Sequence, residues 1–124
     1  MAKRSLFLLA AVFLAALAAS TAYASCVRMT AAEQRARADV IFDGAALDGP
    51  TATGVQRFRV SRYLKGHGPR VVRVDTGNVR RADGTGSVTS VSILVRRGQR
   101  WRIFARGSAR KVLSTNVCDG SRRR

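Results

Sequence analysis

The side chains that could catalyse a reaction are few and are scattered along the chain. The single histidine, His67, lies between two glycines and has no acid or base at a spacing suited to proton transfer. The seven carboxylates form no pair that resembles an acid–base couple, and the serines and threonines have no histidine and aspartate to activate them. We therefore interpret His67 as a loop residue and expect a protein that is not an enzyme.

Two cysteines, Cys26 and Cys118, offer the remaining covalent or metal chemistry. They form no C-x-x-C motif and have no neighbouring histidine, so we expect no metal site and no cofactor. A small, even number of cysteines in an exported protein is typical of a disulfide.

Basic side chains dominate the charge, because 23 lysines and arginines face 7 acidic residues and give a net charge of +16. Such a charge attracts polyanions such as acidic polymers, lipid head groups at a membrane surface or nucleic acid. It also repels further copies of the chain, which favours a monomer. An arginine-rich composition can also follow from a GC-rich genome, so the placement of the arginines matters more than their number.

The elements that must position these side chains are mostly short strands. Thr30 and Glu33 form a capping-box pattern, which predicts a helix over 31–38. Apolar runs, polar–apolar alternation and glycine-rich turns predict strands over 40–47, from 54 to 64, 71–74, 87–95, 100–106 and 112–113. In the second of these strands Phe58, Val60 and Leu64 share one face. Five or six strands and one short helix predict an all-β barrel or sandwich.

On three of the predicted strands, arginines alternate with the apolar residues. They would then lie together on one outward basic face, suited to contacts with phosphate or sulfate groups. The candidate anion-binding residues are Arg57, Arg59, Arg73, Arg100, Arg102 and Arg106. The alternative is a solvated exterior that happens to be basic. Aromatic platforms for base stacking are limited to Tyr63 and Phe104, which disfavours nucleic acid as the partner.

The N-terminal 24 residues predict a secretory signal peptide. Lys3 and Arg4 precede an apolar run over 6–19, and the small-residue pattern Ala22-Tyr23-Ala24 follows. This run would rise about 21 Å as a helix, less than the roughly 30 Å of a bilayer core. We predict cleavage after Ala24 and a secreted or periplasmic domain, whose charge without Lys3 and Arg4 would be +14. An uncleaved anchor and a lipoprotein signal ending at Cys26 are the alternatives.

The order of several segments resembles that of bacterial netrin-like domains, which are similar to the inhibitory domain of tissue inhibitors of metalloproteinases. These segments are 38–44, 58–66, 72–77, and 98–105 together with 113–120. The resemblance covers nearly all of residues 26–122. It implies an OB-type barrel flanked by helices, which agrees with the strand count from the residue patterns. We therefore expect a five- to six-stranded OB-like barrel over 25–120 with one short N-terminal helix, followed by a basic tail at 121–124.

The cysteines depart from the family pattern. The family typically begins with C-x-C and has a Cys-Gly in mid-chain, whereas here Ala24 stands at the first position and 91–94 contains no cysteine. In the family these two missing cysteines pair with each other. The resemblance therefore implies that Cys26 and Cys118 form the remaining disulfide.

These patterns predict an exported module that acts by binding a protein partner or an anionic polymer of the cell envelope. The alternative is a metalloprotease inhibitor acting through the mature N-terminal edge. The family's inhibitors chelate the target's zinc with the amine and carbonyl of a terminal cysteine. Here Ser25 would stand first, without the disulfide that holds such a terminus rigid.

Overall fold

The computed structural model describes residues 26–124, so the predicted signal peptide and its cleavage site lie outside the described residues. The described chain contains one helix, eight strands and a 3₁₀ turn. The helix is α1 (Ala31–Arg37), and the 3₁₀ turn is Val117–Asp119. The strands are β1 (Val40–Ala46), β2 (Val55–Lys65), β3 (Val71–Asp75), β4 (Val79–Arg80), β5 (Gly86–Ser87), β6 (Arg100–Ala105), β7 (Val112–Ser114) and β8 (Arg122–Arg123). In this range no helix is long and apolar enough to cross a membrane.

Helix α1 begins at the predicted capping box. The backbone N–H of Glu33 donates to Thr30 Oγ1 (3.2 Å), and the N–H of Thr30 donates to Glu33 Oε2 (2.8 Å). At the other end, Lys65 Nζ donates to the carbonyl oxygens of Arg35 (2.8 Å) and Ala36 (3.3 Å). Both ends of this short helix thus have partners for backbone groups that a helix leaves unpaired.

Six strands form one curled sheet in the order β7-β3-β2-β1-β6-β8. All pairs are antiparallel except β3 with β7, which are parallel. Beyond β6, Arg106 and Ser114 exchange two backbone hydrogen bonds of 2.9 and 3.0 Å, so the end of β6 also meets the end of β7. This curl and strand order confirm the predicted all-β, OB-like fold.

The main core lies inside the curl. Phe42 on β1 and Phe58 on β2 are fully buried and meet edge to face, with ring centroids 5.9 Å apart. Valines of β3, Ile103 and Leu113 also belong to this core. A smaller cluster lies on the opposite face of the sheet. There Ala38, the residue after α1, packs with residues of β1, β2 and β6.

The disulfide between Cys26 and Cys118 is present, with the Cα atoms 5.1 Å apart. It joins the start of the described chain to the 3₁₀ turn after β7. Both cysteines of the described range are used, and no free thiol remains there.

Two register shifts in the pairing of β1 with β2 correct the predicted faces of β2. Asp43 lies opposite Arg62 while Gly44 lies opposite Val60, so Ser61 is an extra, bulged residue. An extra residue moves the side chains that follow it to the other face. Leu64 was predicted to share the face of Phe58, but it packs in the smaller outer cluster, and Tyr63 packs against the main core instead.

The strand predicted over 87–95 is wrong except at its first residue, because β5 pairs only Gly86 and Ser87 with β4. Ile93 and Val95 are nevertheless buried. The carbonyl of Val95 accepts hydrogen bonds from the side chains of Gln56 (3.0 Å) and Asn78 (3.4 Å). Side chains therefore satisfy this carbonyl, whereas the N–H of Ile93 donates to the backbone carbonyl of Thr76 (3.2 Å).

The sequence places residues 121–124 outside the domain, as a basic tail. In the structure β8 instead adds to the edge of the sheet, where Arg122 and Arg123 pair with Arg102 and Trp101 of β6. Arg122 also lies over the ring of Phe104, 5.5 Å from its centroid. The sheet therefore continues into this segment.

Candidate anion-binding site

Strand β1 lies in the middle of the outer basic face, between β2 and β6. Two neighbouring rows of side chains cross these three strands. In the first row, Asp43 of β1 lies between Arg62 and Arg102. In the second row, Ala45 of β1 lies between Arg59 and Arg100. The two rows differ in one respect, since only the first contains a carboxylate.

Asp43 is the centre of an arginine cluster. Its carboxylate accepts two hydrogen bonds from Arg102, at 2.7 and 2.9 Å, and one from Arg62 at 3.1 Å. A third guanidinium, that of Arg124, lies 4.0 Å away. The hydrogen bond from Arg102 is the main cause that lowers the pKa of Asp43 to about 2, against the opposing effect of partial burial. Asp43 is therefore ionised at physiological pH, but its single charge is shared by three cations.

Arg59 and Arg100 face each other across the small side chain of Ala45. Among the described residues neither arginine takes part in a salt bridge. The backbone N–H of Arg124 donates to the carbonyl of Arg100 (2.9 Å), which holds a third guanidinium near the same row. These residues, together with Asp43 and Trp101, line a groove of 610 Å³. Asp43 is engaged by Arg62 and Arg102, so Arg59 and Arg100 keep hydrogen-bond donors available to a ligand.

The six predicted anion-binding residues are not equivalent in the structure. Arg57 donates two bonds to Asp48, at 2.9 and 2.8 Å, and Arg106 lies 3.7 Å from Asp119. Arg102 is committed to Asp43, and only 13% of its side chain is exposed. Arg59, Arg73 and Arg100 have no salt-bridge partner in the range 26–124. Arg73 lies opposite Arg57 on the β3 side of the face.

Two arginines near Asp43, Arg62 and Arg124, are not among the residues that the sequence predicts for anion binding. Strict alternation places Arg62 on the face of Phe58 and Val60, and only the bulge at Ser61 turns it outward beside Asp43. The sequence places Arg124 in the predicted tail. No local pattern marks either residue, because one depends on a bulge and the other on the pairing of β8 with β6.

The structure also shows where the candidate residues for metal binding and catalysis lie in the described part of the chain. No group of three or more histidine, cysteine, aspartate or glutamate side chains is placed there to hold a metal ion. His67 is exposed in the loop after β2. The N-terminal edge on which protease inhibition would depend is predicted to begin at Ser25, outside the described residues.

No protein-family model matches the chain, and no curated protein is similar to it. The netrin-like resemblance therefore stays a prediction, and the proposals below depend on the geometry of the groove.

Proposed function

We propose that this protein is a non-enzymatic binding module that binds an anionic polymer at the groove between Arg59 and Arg100. One observation carries the proposal: two exposed arginines flank Ala45 with no carboxylate between them, beside a row that holds two more arginines and one aspartate. Guanidinium groups donate paired hydrogen bonds that match the oxygens of phosphate, sulfate and carboxylate.

Because Arg59 and Arg100 have no ion-pair partner among the described residues, a ligand can bind them without breaking an existing salt bridge. A ligand that engages Arg57 or Arg102 must compete with Asp48 or Asp43 for the same N–H donors. A ligand that engages Arg59 or Arg100 displaces only water and counterions. Release of counterions makes such binding strongly dependent on salt. We therefore assign the main ligand contacts to Arg59 and Arg100, and assign Arg102 to holding Asp43.

We also propose that the protein acts outside the cytoplasm, as a secreted or periplasmic domain. The disulfide supports this location, because disulfides persist in oxidising compartments. The predicted signal peptide agrees with it.

The intact mass of the exported protein should equal that of a chain that begins at Ser25. A mass that corresponds to a chain beginning at Met1, or at a lipid-modified Cys26, would contradict cleavage after Ala24.

Replacing Arg59, Arg100 and Arg124 together by glutamine should weaken binding of a sulfated polymer and reduce its dependence on salt. If each arginine neutralises one anionic group, the slope of log affinity against log salt should flatten by about 2 to 3 units. Affinity measured by titration over a range of salt concentrations checks this expectation.

The matched control is the triple replacement of Arg28, Arg35 and Arg81 by glutamine. These arginines are exposed and lie outside the groove, and their removal changes the net charge equally. The control should retain most of the slope. Equal losses in the two triple variants would show that binding follows overall charge and not the groove.

A further inference from the structure

The groove between Arg59 and Arg100 continues into a second groove on the other side of β2. The second groove has a volume of 450 Å³ and includes Arg62, Tyr63 and Arg70. Both grooves are lined by the same three consecutive residues, Arg59, Val60 and Ser61. The two grooves therefore meet over β2. We call the combined path from Arg70 to Arg124 the trough.

The bulge in β2 explains why the trough crosses this strand. Ser61 is the extra residue, and its hydroxyl donates to the backbone carbonyl of Asp43 (2.9 Å), which fixes the bulge against β1. A bulge bends its strand and increases the local twist. The two grooves share the bulged residue, so the opening in the outer surface coincides with this bend.

We infer that the trough binds a linear anionic polysaccharide that lies across β2 and β1, an inference that rests on the proposed function. Cationic side chains occur along its whole length, with Arg70 at one end, Arg59 in the middle, and Arg100 and Arg124 at the other end. A ligand with a single anionic group could engage only one part of this row. A linear polymer with repeated anionic groups can engage all parts at once.

The uncharged lining favours sugar rings between the anionic groups. Gly44 and Ala45 of β1 lie between Arg59 and Arg100 in the wall of the trough. Sugar rings offer apolar C–H faces to such a surface, whereas a chain of bare phosphates offers none.

The packing of Trp101 and Tyr63, the aromatic residues beside the trough, argues against single-stranded nucleic acid, whose bases stack on exposed rings. Both rings pack partly against the main core. Tyr63 is held further by its hydroxyl, which donates to the carbonyl of Pro69 (2.6 Å). Its ring centroid is 6.2 Å from that of Phe42.

Trp101 is the only tryptophan of the chain and lines the trough, so its fluorescence reports on binding there. We would titrate the protein with heparin oligosaccharides of increasing length and with their desulfated counterparts. The affinity should rise by at least about tenfold from the shortest sulfated oligosaccharide to one that spans the trough, because successive groups bind within one molecule. The desulfated series keeps its carboxylates but has fewer anionic groups, so at each length it should bind more weakly than the sulfated series.

Variants at the two ends separate the trough from the central groove. Arg70→Gln and Arg124→Gln should each lower the affinity for the long oligosaccharide about two- to fivefold, as expected for one exposed ion pair. Arg70→Gln should leave the affinity for the shortest one unchanged, because Arg70 lines only the second groove. Arg81→Gln, in the turn between β4 and β5, is the matched control and should change neither affinity.

The possible failures can be distinguished. Salt-dependent binding that is equal for short and long oligosaccharides, or that is insensitive to Arg70→Gln, overturns the trough but leaves the proposed function standing. Tighter binding of polyphosphate or single-stranded oligothymidylate of equal charge overturns the choice of a polysaccharide. The absence of binding to every one of these polyanions overturns the proposed function itself.

Discussion

Reduction of the disulfide between Cys26 and Cys118 is expected to lower the melting temperature by about 10 °C or more. The two cysteines are 92 residues apart in the sequence. The chain-entropy model assigns a crosslink over such a loop about 4 to 5 kcal/mol of stabilisation, through its constraint on the unfolded chain. A domain of this size has a total stability of only about 5 to 15 kcal/mol, so one bond contributes a large share.

The folded geometry around Cys118 indicates that the disulfide stabilises the protein mainly by constraining the unfolded chain. The backbone N–H of Cys118 donates to Asn116 Oδ1 (2.8 Å), and the N–H of Asn116 donates to Asp119 Oδ2 (3.1 Å). The 3₁₀ turn therefore has its own hydrogen bonds, which do not require the bond to Cys26. Reduction should leave this turn formed in the native state while the unfolded chain gains conformational freedom.

Thermal melts with and without reductant, together with thiol titration, check this prediction. The Cys118→Ser variant should melt at the temperature of the reduced protein under both conditions. Two free thiols in the oxidised protein, or coincident melts of the oxidised and reduced forms, would contradict both the disulfide and its contribution to stability.

Replacing Phe42 by alanine is expected to reduce the free energy of unfolding by about 3 to 5 kcal/mol, the usual cost of removing a buried phenylalanine ring. Phe42 is fully buried on the central strand β1. Its ring meets that of Phe58 edge to face and also packs near Tyr63. Its removal would leave a cavity beneath the strand that carries Asp43 and Ala45.

Unfolding in urea measures this loss. Phe42→Leu should cost less than Phe42→Ala, because leucine leaves a smaller cavity. Val27→Ala is the control for an exposed apolar residue: its side chain is 82% exposed, so the change should stay within about 0.5 kcal/mol. Equal losses for Phe42→Ala and Val27→Ala would mean that the interior of the curl is not the main core.

The local elements could be predicted from the sequence because their signals lie within a few residues of each other. Thr30 and Glu33 are three residues apart and form the capping box of α1 as predicted. In β6 the alternation of Trp101 and Ile103 with arginines correctly separates the inner from the outer face. The all-β class follows from the number of such strands.

Only the tertiary structure decided which arginines of the site are paired with a carboxylate. Asp43 accepts hydrogen bonds from Arg62 and Arg102, which are 19 and 59 residues away in the sequence. Whether an arginine on the outer face is committed or available depends on these distant carboxylates. Composition and alternation therefore group Arg57 and Arg102 with Arg59 and Arg100. Only Arg57 and Arg102 of these four donate hydrogen bonds to a carboxylate among the described residues.

The same distinction explains why the groove itself was not predicted. Its shape depends on the bulge at Ser61 and on the addition of β8 to the sheet edge, and neither leaves a periodic signal in the sequence. Side-chain alternation is a property of one strand, so the sequence by itself determined the strands β1, β2, β3, β6 and β7 and most of their faces. Register, bulges and ion pairs are properties of two strands in contact, and only the folded sheet decided which arginines line the groove.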